Sequence, residues 1–172
     1  NALRASGAEH LILRTAWVYA ARGKNFLRTM LRLAGERDEL RVVNDQIGAP
    51  TPAHWIAEYT VAMLERMVQK PEQEREAAFG TYHLTASMRC SWFEFAEAIF
   101  EEAKAAGLLD RVPRVLPIAT SEYPTPARRP AFSVLDNAKL ARIFDLHMRP
   151  WREGLKEVIG QVASARSSGE IS

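Results

Sequence analysis

The chain has 172 residues, 47% hydrophobic and 26% charged, which is enough for one globular domain or a little more with its own core. With 23 Lys and Arg against 21 Asp and Glu, the net charge is only +2, and the basic residues are spread too evenly to mark a nucleic-acid partner. A single cysteine, Cys90, excludes an internal disulfide, and no apolar run approaches the roughly 18 residues of a membrane span.

No initiator Met opens the chain. Asn1 to Ala5 reads as the end of a helix with Gly7 as its cap, so the chain is expected to begin mid-protein. Residues 10–15, around Leu11-Ile12-Leu13, read as a buried parallel strand. Asn25 opens a helix carrying Phe26, Leu27, Met30, Leu31 and Leu33 on one face, with Gly35 near its end. Leu40 to Val43 is a second strand. Residues 46–52 hold two prolines and a glycine and read as loop, with Pro52 in the first turn of a helix through Ile56, Tyr59, Met63 and Met67.

Residues 70–78 are charged and read as a surface linker. Gly80 to Thr85 is a strand. Ser91, with Glu94 three residues on, forms a capping box for a helix burying Trp92, Phe95, Ala96, Ile99, Phe100 and Ala103 and ending at Gly107. Val115 to Ile118 is a further strand, and residues 123–130 form a stiff, proline-rich extended segment. Asp136 caps a short helix to Phe144. Trp151, Leu155, Val158, Ile159 and Val162 mark a last helix, and from Ser164 a polar, frayed tail is expected. Strands alternating with helices predict an α/β fold.

No glycine-rich phosphate loop, no H-E-x-x-H and no cysteine cluster occurs, and His10, His54, His83 and His147 lack ligand spacing. No metal site and no cysteine nucleophile are therefore expected. Three segments can carry binding chemistry. Arg14-Thr15-Ala16-Trp17-Val18-Tyr19 leaves the carboxyl end of a parallel strand, where α/β sheets bind ligands, and Trp17 offers a flat face to a sugar or base. Trp17 reads equally well as packing under the next helix. Asp45-Gln46-Ile47-Gly48-Ala49-Pro50-Thr51 is a polar loop in which Gln46 suits a sugar or base edge, or else an ordinary self-satisfied turn. Arg128-Arg129, between prolines, presents planar forks for phosphate oxygens, or a solvated charge pair. Asn25 is first a helix cap, at a helix start where a pyrophosphate can also settle.

Taken in order, Leu13-Arg14-Thr15-Ala16-Trp17-Val18-Tyr19, Asn25-Phe26, the loop from Asp45 to Thr51, and Tyr123-Pro124-Thr125-Pro126-Ala127-Arg128-Arg129-Pro130 resemble the dTDP-4-dehydrorhamnose reductase family of extended short-chain dehydrogenases, from Ala8 to Val162. The resemblance implies the end of a Rossmann-type parallel-sheet domain plus a small mixed α/β substrate-binding domain. The expected boundaries are 1–50 for the Rossmann remnant, 51–163 for the mainly substrate-binding part with returning segments, and 164–172 for a flexible tail. It further implies NADPH or NADH reducing dTDP-4-dehydro-6-deoxy-L-mannose to dTDP-L-rhamnose in the cytoplasm, a dTDP-sugar as ligand, and neither nucleic acid nor membrane as partner; a homodimer is left open.

By the same resemblance, Trp17 meets substrate, Arg129 meets the diphosphate, and Gln46 and Asn25 lie near the substrate. The family's glycine fingerprint and its Tyr-x-x-x-Lys have no counterpart here, since Gly23 and Met63 stand four residues after Tyr19 and Tyr59. No catalytic residue is therefore expected in the chain, and no cofactor-binding residue is assigned. Ala16 departs from the Ser frequent in the family, which removes a hydrogen bond near the nicotinamide. Two other readings share the fold: a non-catalytic regulatory subunit, and a nucleotide-sugar epimerase or dehydratase. The Asp-Gln-x-Gly-x-Pro-Thr loop disfavours the latter, which commonly carries an Arg in that stretch.

Overall fold

The computed structural model describes residues 2–123, 127 and 129–169. Pro124, Thr125, Pro126 and Arg128, most of the expected stiff segment, lie outside the described residues.

A short helix α1 (Ala2–Ala5) comes first, and Gly7 follows it in the left-handed region at φ 70°. Strand β1 (Leu11–Arg14) leads through β2 (Val18–Tyr19) to α2 (Phe26–Glu36). The stripe predicted for α2 holds, with Leu27, Met30 and Ala34 buried. Next come β3 (Glu39–Val43), β4 (Ile47–Gly48), β5 (Thr51–Pro52) and α3 (Ala53–Gln69). Helix α4 (Glu72–Ala78), β6 (Gly80–His83), β7 (Cys90–Ser91), α5 (Trp92–Ala105) and β8 (Arg114–Ile118) follow. After a 3-10 turn over Thr120–Glu122, α6 (Ala138–Phe144) and α7 (Trp151–Ser167) complete the described chain.

The strands pair as β1 with β6, β3 with β8 and β2 with β5, all parallel, and β4 with β7 antiparallel. The expected α/β class holds. Parallel partners far apart in sequence, such as Leu11 beside Gly80 and Glu39 beside Arg114, require the intervening helices as crossovers. The predicted capping box at the start of α5 is present: Ser91 Oγ accepts from Glu94 N–H at 3.0 Å, and the Glu94 carboxylate accepts from Ser91 N–H at 2.6 Å. One continuous core joins α2, α3, α5, α6 and α7, with Trp55, Phe95, Ile99, Phe100, Leu140, Leu155 and Val158 fully buried. Each large side chain there contributes roughly 1.5–3 kcal/mol by leaving water.

Six expectations need correction. Strand β1 is only half-buried, not buried. Residues 46–52 are not all loop. Gly48 pairs with Cys90, and Pro52 tolerates a ladder because the bond there runs from Thr51 N–H to Trp17 O, at 3.1 Å. Pro52 itself stands as the N-cap of α3, one residue before its first turn. Residues 72–78 are helical rather than linker: Pro71 starts α4, Glu72 and Glu74 fill its first turn, and Arg75 donates back to Lys70 O at 3.2 Å. The N-cap of α6 is Asn137, although Asp136 Oδ1 does accept from Ala138 N–H at 2.8 Å. Helix α7 runs to Ser167, so the polar stretch from Ser164 begins as helix.

Candidate functional site

The segment leaving β1 turns sharply at Trp17, whose φ of 52° lies in the left-handed region. A non-glycine residue held there costs on the order of 1–3 kcal/mol unless its surroundings over-determine it, and such residues cluster at functional sites. The surroundings are plain. The Trp17 indole lies flat on Trp92, with ring centroids 3.5 Å apart and 6° between planes. Phe26, at the start of α2, packs against the same Trp92 at 4.6 Å. Gly48 of β4 lies so close that a Cβ there would stand 2.2 Å from Trp17 Cε2. Trp17 is half-buried. One face of its indole is therefore spent on Trp92, leaving a ligand less of the ring than sequence reasoning supposed.

Asn25 is the N-cap of α2. Its Oδ1 accepts from Arg28 N–H at 3.1 Å, and its Nδ2 donates to Ala20 O at 2.9 Å and to Arg22 O at 3.2 Å. The amide nitrogen thus serves the loop at residues 20–25 and the oxygen the first turn of α2, and the cap places Phe26 beside Trp92.

Gln46 is buried, and its Nε2 donates to Thr120 Oγ1 at 3.1 Å. The Thr120 hydroxyl in turn donates to Asp45 Oδ1 at 2.6 Å, and Thr120 N–H also reaches that carboxylate at 2.9 Å. The bonds from the Thr120 side chain and backbone hold Asp45 below the ordinary carboxylate range. Next to Gln46, Ile47 is clasped on its other edge. Ile47 N–H donates to Ala131 O, and Ser133 N–H donates to Ile47 O, both at 2.8 Å. That clasp brings the chain after Arg129 against β4. Arg129 itself is exposed. Arg89, next to β7, holds its guanidinium 5.9 Å from the ring centre of the exposed Phe132.

Strand β4 is therefore the hub. It meets Trp17 through Gly48, follows Gln46 directly, and carries the segment of Arg129 through Ile47. Asn25 belongs to the site only through the loop and the Phe26 it places. The sequence reading missed the roles of Trp92, Gly48 and Thr120. Trp92 lies on the apolar face of α5, and nothing in its spacing distinguishes a ring facing a strand-end turn from one facing the core.

Other reactive groups are not poised for chemistry. Cys90 is buried, and burial first, then the Glu94 charge, pushes its thiol up to about 12, while Arg152 works the other way. Tyr19 is buried and its hydroxyl has no hydrogen-bond partner among the described residues; burial, then the charge of Glu157 and Cys90, raises it above the usual phenol range. His54 pairs with Glu157 at 2.8 Å, a contact within the fold rather than a ligand set. Among the described residues no group of three His, Cys, Asp or Glu could hold a metal ion, and no helix is long and apolar enough to cross a membrane. Two hollows, of about 660 and 830 Å³, are lined by residues of α2 and α7, of the loop before α2 and of the turn after α5, and neither is lined by Trp17, Gln46 or Arg129.

The glycine fingerprint that cradles a dinucleotide, G-x-G-x-x-G, does not follow β1 or β6. β1 runs on into Thr15-Ala16-Trp17 and β6 into Leu84-Thr85-Ala86.

A family model described as the RmlD substrate binding domain matches residues 1–164. The dTDP-4-dehydrorhamnose reductase of Escherichia coli (strain K12) is 43% identical over 162 residues, covering 94% of this chain and 52% of that protein. The enzyme of the same name from Burkholderia thailandensis is 49% identical over 157 residues, covering 88% of this chain and 51% of its own. The chain thus spans about half the length of the curated relatives it matches. Among solved structures, a dTDP-4-dehydrorhamnose reductase from Bacillus anthracis in complex with NADP superposes with a TM-score of 0.75 at 34% identity, over 92% of this chain and 51% of that one. A UDP-N-acetylglucosamine 4-epimerase from Bacillus cereus gives a TM-score of 0.61 at 18% identity, over 92% of this chain and 48% of its own, a likeness of fold alone.

Proposed function

This chain belongs to the RmlD substrate binding domain family, and we propose that it is the sugar-nucleotide-binding part of an NAD(P)H-dependent reductase that converts dTDP-4-dehydro-6-deoxy-L-mannose to dTDP-L-rhamnose. The observation that carries the reading is the gathering of Trp17, Gln46 and the Arg129 segment around β4, at the carboxyl end of a parallel strand pair. The curated relatives named for this reaction, at 43% and 49% identity, support it. Residues 1–50 are assigned to the nucleotide-binding domain, with β6 returning beside β1, and 51–163 mainly to the substrate domain.

In this reading Trp17 holds the sugar, Arg129 meets the diphosphate with charge-assisted bonds, and Gln46 and Asn25 shape the walls. Cofactor contacts and the proton donor fall to residues outside this chain. The part described supplies orientation, which lowers a barrier without touching the proton.

The test is turnover of NADPH and dTDP-4-dehydro-6-deoxy-L-mannose by the full-length protein, with dTDP affinity measured alongside. Trp17→Ala is expected to lower kcat/KM by roughly tenfold or more. Arg129→Ala is expected to weaken dTDP by roughly 10 to 150 times, the loss of bonds worth about 1.5–3 kcal/mol. Arg129→Lys should recover only part of that, because an ammonium lacks the planar fork. Equal, small losses for Arg129→Ala and Arg128→Ala would reduce the effect to general charge and take Arg129 out of the site.

A further inference from the structure

We propose that Trp92, the first residue of α5, is a positioning residue that fixes the Trp17 indole for its ligand, with the backbone of Gly48 as the second support; this rests on the sugar-nucleotide reading above. The geometry is specific. Two indoles lie 3.5 Å apart and within 6° of parallel, a full face-to-face stack. Tyr19 on Phe95 at 65° and Phe95 on Trp151 at 88° meet edge-on, and Phe26 on Phe95, 17° from parallel, stands farther off at 5.6 Å. A side chain present only to fill volume does not need a parallel face.

Trp92 is itself held from two sides. The capping box of Ser91 and Glu94 sets the first turn of α5, and Ser91 Oγ also donates to Asn44 Oδ1 at 2.8 Å, tying that turn to the end of β3. Phe26 closes the other side at 4.6 Å. Trp17, by contrast, stands on a turn residue at φ 52°, a conformation that its own backbone does not favour. Its setting has to be imposed by neighbours, and Trp92 and Gly48 both lie against its ring. A ring fixed before the ligand arrives spares the cost of ordering it on binding.

Two readouts on the full-length protein decide the matter. In the ligand-free protein, the indole N–H resonance of Trp17 is expected to shift and broaden in Trp92→Ala and to stay sharp in Trp92→Phe, which still offers a flat ring. In kinetics with dTDP-4-dehydro-6-deoxy-L-mannose, Trp92→Ala is expected to lose about threefold to tenfold in kcat/KM, the scale of one aromatic pair. Trp92→Phe should regain most of it, and the loss should vanish in a protein already carrying Trp17→Ala. Trp92→Leu keeps apolar bulk without the flat face, so it is expected to show the same shifted Trp17 resonance and the same loss in kcat/KM, and it carries the test where Trp92→Ala does not fold. Full additivity in the double-mutant cycle, or an unchanged Trp17 resonance in Trp92→Leu, overturns the proposal. A wild-type protein that turns over no dTDP-sugar would sink the functional reading instead, and the resonance would still decide whether Trp92 sets Trp17.

Discussion

Gly48 has no room for a side chain. Its missing Cβ would sit 2.2 Å from Trp17 Cε2 and 2.5 Å from Nε1, and the indole cannot retreat because Trp92 lies against its face. Gly48→Ala is therefore expected to destabilise the protein by about 1–3 kcal/mol, the usual cost of overpacking. A fall in Tm together with weaker dTDP binding would show it. An unchanged Tm would mean that the ring has another resting place. In the sequence Gly48 reads only as a loop glycine beside Pro50; the demand for a bare backbone comes from a residue 31 positions earlier. Gln46 is similar. Its amide type was legible as a hydrogen-bonding group, but its partner Thr120 lies across the β3–β8 pair, where no local pattern points.

Helices α3 and α7 are joined by a polar knot at one carboxylate. Glu157 accepts from Trp55 Nε1 and pairs with His54 Nε2, both at 2.8 Å, and Arg149 reaches it at 3.0 Å. Arg149 also reaches Glu58 at 3.1 Å and lies 4.1 Å over the Trp55 ring. Burial works to raise Glu157, but the bonds from His54 and Trp55 and the charge of Arg149 outweigh it and hold the carboxyl below its ordinary value. A carboxyl depressed in the folded state stabilises the fold above its unfolded pKa, and that stabilisation is lost as pH falls through the folded pKa. Glu157→Gln keeps the shape and removes the charge, so it is expected to lower Tm at neutral pH and to narrow the gap to wild type in acid. Parallel melting curves against pH would check this, and a constant gap would assign the effect to packing rather than charge. Periodicity placed Leu155, Val158 and Ile159 on the buried face of α7, as observed. It could not single out Glu157, because a carboxylate between apolar positions looks like any solvated flank.

At the scale of the molecule, the parallel pairs β1–β6 and β3–β8 carry the helices, and the site gathers where the connections leave them. Because the sequence holds no G-x-G-x-x-G, the 172-residue chain by itself is expected to show no saturable binding of NADPH or NADH in titration calorimetry. Micromolar binding would place a cofactor site within this chain and end the division of labour proposed above.

The helices that face the core, the capping box of α5 and the α/β class follow from the sequence alone, because helical spacing and capping are settled within a few residues of chain. So do the candidate positions Trp17, Gln46 and Arg129, through their residue types and order along the chain. The short strands β4 and β5 do not, since a two-residue ladder owes its existence to partners such as Cys90 and Val18 and overrides the local bias of glycine and proline. The fate of the Trp17 ring was likewise decided by the fold: only the packing of distant elements puts Trp92 on one of its faces and Gly48 against its Cε2 end. Contacts between residues dozens of positions apart are set by how whole elements pack, and that information is not written in any single stretch of the chain.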